Sequence, residues 1–186
     1  MNKTGIIIKI CILCQPSDLI SYFIPELLDN FEGKTVQFDY SFLGVKPATF
    51  KHKINTQPIK FLLIHTVNQD LSNKLRPYYL GASGAFIIFS RSNPDSYEAA
   101  KCFYQYFRKI TTDPRIPVAF IDIREESATI LIENGIKLDN ESSEAYYEMK
   151  AGDFQGFRRV FETLITTIVS FAHQQSTEYH RGLIQW

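Results

Sequence analysis

Residues 6–13 read Ile-Ile-Ile-Lys-Ile-Cys-Ile-Leu, and no other stretch of the chain constrains the fold as strongly. Apolar side chains stand at odd and even positions alike, so a strand here must be covered on both faces. That is the situation of a central strand in a parallel sheet flanked by helices. The run is too short to span a bilayer, and Lys9 interrupts it. Downstream, runs rich in β-branched residues alternate with segments of helical period, which predicts an α/β fold built on a mostly parallel sheet. With 186 residues and 45% hydrophobic side chains, one domain is the natural size. We place it over residues 1–175, followed by a tail over 176–186.

Ser17 or Asp18 can cap a helix through Ile20, Phe23 and Leu27, with a kink or restart at Pro25. Phe38, Tyr40 and Phe42 are aromatic at alternate positions. Strands over 48–56 and 58–66 flank a Gln57-Pro58 turn and predict an antiparallel hairpin. A short helix near 70–80 precedes a strand over 85–90. Asn93-Pro94-Asp95 then opens a helix whose Tyr97, Ala100, Phe103, Phe107 and Ile110 share one face. Residues 117–122 read as a strand, 125–134 as a weaker helix and 145–149 as the last strand. Phe154, Phe157, Phe161, Leu164, Ile165, Ile168 and Ala172 form the apolar stripe of a long closing helix.

Charge and cysteine usage narrow the function classes. Lys plus Arg and Asp plus Glu both number 20, so no global field draws the chain onto nucleic acid or an anionic membrane. Three cysteines are an odd number at spacings unsuited to a secreted disulfide framework, which points to a reducing, cytoplasmic setting. Cys11 and Cys14 have CxxC spacing, but in a strand positions i and i+3 face opposite sides, so both read as buried structural thiols.

The order of elements and several strings resemble the Ras superfamily of small GTPases, the Rab branch most closely. Residues 59–70, Ile-Lys-Phe-Leu-Leu-Ile-His-Thr-Val-Asn-Gln-Asp, resemble that family's third strand running into W-D-T-A-G-Q-E. Tyr78-Tyr79-Leu80-Gly81-Ala82 resembles Y-Y-R-G-A, and Asn93-Pro94-Asp95-Ser96-Tyr97 resembles N-P-x-S-F. Residues 146–165 resemble the sixth strand, the S-A-K loop and the last helix. The resemblance implies a P-loop NTPase-type three-layer α/β fold. Its sheet would have six mostly parallel strands with one antiparallel edge strand, and about five helices would cover it.

The nucleotide motifs of the family are mostly missing. A phosphate loop, G-x-x-x-x-G-K-[ST], needs glycines so that successive N–H groups converge on phosphate, and a lysine to neutralise it. Here strand one is followed by Cys14-Gln15-Pro16-Ser17-Asp18, with no glycine and no lysine. If Leu19-Ile20 matches the family's first helix, the loop is about four residues too short. Ser17 stands near the magnesium-binding hydroxyl and reads as a helix cap. Counting back from Ile64 places Phe42 at the switch threonine, and a phenyl ring cannot ligate a metal. D-x-x-G becomes His65-Thr66-Val67-Asn68, with an imidazole unsuited to magnesium and an Asn68 able to keep a left-handed turn. Gln69 matches the water-orienting glutamine and is the one residue with a catalytic counterpart. At N-K-x-D stands Asp122-Ile123-Arg124-Glu125-Glu126, without the asparagine or the lysine; a carboxylate such as Glu126 could still pair with the guanine edge, but Glu125 and Glu126 read as helix N-terminal acids. In S-A-K, now Lys150-Ala151-Gly152, only Ala151 survives.

These replacements imply a catalytically inactive small-GTPase-like protein, a pseudo-GTPase working as an interaction module or complex subunit. No catalytic residue, metal or cofactor is expected. The alternative is a divergent small GTPase that binds and hydrolyses GTP through other motifs, with GTP or GDP and Mg²⁺ as ligands. The C-terminal residues 179–186 hold no cysteine, so no prenyl anchor is expected. No acid lies between Tyr40 and Gln69, whereas the stretch from Glu125 to Glu148 has seven acids and one base. The expected partner is therefore an acidic protein face, possibly that of a second copy in a homodimer, docking on Phe42, Lys51, Lys53, Tyr78 and Tyr79.

Overall fold

The computed structural model describes residues 6–15, 34–35, 45–54, 57–66, 76–90, 92–111, 113–124 and 144–183. Strand β1 (Ile6–Cys14) is central, as its doubly apolar pattern requires: β4 (Gln57–Thr66) and β5 (Gly84–Phe89) pair with it in parallel on either side. The full order is β2-β3-β4-β1-β5-β6-β7, with β2 (Lys34–Thr35), β3 (Val45–Ile54), β6 (Val118–Arg124) and β7 (Glu144–Lys150) completing the sheet. Helices α1 (Arg76–Tyr79), α2 (Pro94–Ile110) and α3 (Phe154–Leu183) are described beside it.

The sheet departs from the sequence expectation at one end. It has seven described strands where the resemblance implied six. Antiparallel β3 lies one place in from the edge, because the two-residue β2 pairs outside it, antiparallel through Thr49 and Ala48. The hairpin reverses between Ile54 and Gln57, so Gln57-Pro58 opens β4 where a turn was expected. Pro58 has no N–H to give a ladder, and it stands before the point where β1 begins to pair, at Ile59. Residues 16–33, 67–75 and 125–143, and with them the helices expected near 20–27 and 125–134, lie outside the described residues.

Two cores lie on opposite faces of the sheet. On one face Ile8, Ile10, Ile12, Phe86 and Ile121 pack under Phe157, Phe161, Leu164 and Ile168 of α3. Phe86 stacks on Phe161 with ring centroids 5.5 Å apart. On the other face Leu13, Ala85, Ile87, Phe89 and Phe120 pack under Tyr97, Phe103 and Phe107 of α2. Each such buried aromatic or aliphatic side chain contributes about 1.5–3 kcal/mol of transfer free energy. Phe154, read as the first residue of the α3 stripe, is 38% exposed, and the first α3 side chain in this core is Phe157. The same helix runs on to Leu183, across residue 175 where the sequence places the start of a tail.

The strand alternation divides the neighbouring cysteines as expected: Cys14 lies in the α3-side core and Cys11 in the α2-side core. Burial pushes the Cys11 thiol up to about 12, so it stays protonated and unreactive. Lys9, the interruption in β1, also has a structural reason. Its ammonium donates to the Leu80 carbonyl (2.8 Å) and the Pro77 carbonyl (3.4 Å) at the end of α1. A cation there satisfies orphan carbonyls and complements the local dipole. Burial holds its pKa below the ordinary lysine value.

Candidate functional site

Open α/β sheets bind ligands beyond the carboxyl ends of their parallel strands. In this chain that rim is formed by the ends of β4, β1, β5, β6 and β7. At β1, Cys14 is buried and Gln15 follows at once. The carbonyl of Gln15 accepts from the hydroxyl of buried Ser96, which in turn accepts from the N–H of Ser90 at the end of β5 (3.1 Å). Ser96 lies in the first turn of α2, whose N-cap is Asn93. The Asn93 side chain accepts from the Ser96 N–H (3.2 Å), and the Asn93 backbone N–H donates to the Ser90 carbonyl (3.1 Å). The start of the segment after β1 is thereby tied to β5 and α2 by protein groups.

Near the end of β6, the side chain of Ile123 is 2% exposed and belongs to the α3-side core. Asp122 is fully buried on the α2 side, accepts from the Tyr146 hydroxyl (2.9 Å) and lies 3.8 Å from Arg124. Arg124 pairs with Glu148 of β7 at 2.6 Å. The loop after β7 folds back, with the Ala151 N–H donating to the Arg124 carbonyl (3.0 Å). Gly152 follows at φ +79°, a left-handed conformation that suits glycine. Asp153 then caps α3 by accepting from the Gly156 N–H (2.8 Å).

The expected site residues divide accordingly. Ala151 is exposed on this rim beside the end of β6. His65 lies in β4 opposite Ile12 of β1 and Lys46 of β3. Ser17, Phe42, Asn68, Gln69 and Glu126 lie outside the described residues. Of the expected interface, Lys51 and Lys53 are placed by register on β3, opposite Lys60 and Pro58, and Tyr78 by its backbone in α1. Tyr79 is corrected: it is 1% exposed and packs edge-to-face on Tyr106 with ring centroids 6.1 Å apart, so it belongs to the core.

Sequence reasoning missed the Ser96–Gln15 tie and the Asp122 network. An acid inside Val-Ala-Phe-Ile-Asp-Ile, a strand apolar on both faces, was the signal for the second. Among the described residues no group of three His, Cys, Asp or Glu side chains is placed to hold a metal ion. Among them, too, no helix is long and apolar enough to cross a membrane. In the comparison with known families, the model described as the Ras family matches residues 19–170. No curated protein matches the chain.

Proposed function

Because the chain belongs to the Ras family, we propose that it is a catalytically inactive, Rab-like member, a cytoplasmic pseudo-GTPase that works as a protein-interaction module. The observation that carries this reading is the segment after β1. Cys14-Gln15-Pro16-Ser17-Asp18 has no glycine and no lysine, its Gln15 carbonyl is engaged by Ser96, and the family match begins only at residue 19. Phosphates need converging N–H donors and a cation at this point; Pro16 removes an N–H and Asp18 brings a negative charge. At the base-recognition motif an apolar Ile123 packed in the core replaces the family's asparagine, and Arg124 is engaged by Glu148. These residues do not fit a guanine nucleotide with Mg²⁺, and no step is assigned to one.

The test is the nucleotide content of the purified protein. Denaturation followed by chromatography should release none, and GTP, GDP or ATP with magnesium should leave the melting temperature unchanged. A ligand at 100 times its Kd would add about 2.7 kcal/mol of stability, a readily measured shift. A stoichiometric guanine nucleotide would overturn the reading and establish the divergent GTPase, with Gln69 as its first catalytic candidate.

The interaction surface of this reading is the β3–β4 hairpin, for which an acidic protein face is the partner. Charge reversal at Lys51 and Lys53 should slow association and blunt its salt dependence, while Phe42→Ala should speed dissociation. Unchanged binding by both variants would move the interface elsewhere.

A further inference from the structure

We draw no further inference here: the strongest candidate, the outer edge of β7 (Glu144–Lys150) at the end of the sheet, carries nothing because nothing in the structure shows what covers it.

Discussion

Gly84 opens β5 against Ile168 of α3. A Cβ at this position would run into the end of the Ile168 side chain and lie 3.2 Å from the Pro117 carbonyl oxygen. Gly84→Ala should therefore destabilise by about 1–3 kcal/mol, the ordinary cost of overpacking. Ile168→Val removes the methyl that would be struck, so the double variant should lose less than the sum of the two single changes. Urea midpoints over the four-protein cycle measure that coupling, and strict additivity would count against the contact. Glu144, which contacts α2 on the other face of the sheet, offers an electrostatic test. Its side chain, 4% exposed, accepts from the Tyr104 hydroxyl and pairs with Arg108 at 3.1 Å, and burial pushes its carboxyl above the usual 4.5. A raised native value means that the folded state holds this proton to higher pH than the unfolded chain does. The contribution is thus complete below pH 4.5 and declines as pH rises through the window up to the raised value. Glu144→Gln should lack that decline, as seen in unfolding free energies measured across the acid limb. Parallel curves for parent and variant would contradict the sign.

At the scale of elements, the junction of β1, β5 and α2 is held by few groups. The Ser96 hydroxyl bridges the Gln15 carbonyl and the Ser90 N–H. Ser96→Ala leaves both without that partner and should cost about 1–3 kcal/mol, the range for unsatisfied buried polar groups. Asn93→Ala removes only the N-cap of α2 and should cost about 1 kcal/mol. Chemical denaturation of the two variants checks the order, and a larger loss at Asn93 would make the cap rather than the bridge the fastening. The element boundaries show why some of this was legible. Asn93-Pro94 announces a helix start by local chemistry, and α2 begins there. Gln57-Pro58 looked like a turn by the same kind of rule, yet it opens a strand, because where β4 begins is set by its ladder with β3.

For the whole molecule, two separately packed cores on a sheet with β1 at its centre give a scaffold stabilised by apolar burial. If the chain works without nucleotide, no γ-phosphate orders the region matching the family's switches. Hydrogen exchange over residues 35–80 should then give superimposable traces with and without GTP and magnesium. Nucleotide-dependent protection in that window would reinstate a switch.

Composition and period were enough to place β1 at the centre and to set α2 and α3 as amphipathic covers, because burial on one or two faces leaves a regular mark on neighbouring residues; the family scaffold was legible only through strings that resemble the family's motifs. The missing glycines and lysine after β1 were equally plain, since a phosphate loop is a contiguous motif. The sequence could not show that Tyr79 is core while its neighbour was grouped with it, that Ser96 reaches Gln15 across 81 positions, or that Lys51 stands opposite Lys60. Those relations depend on register and on contacts between distant segments, and they come into being only when the strands pair.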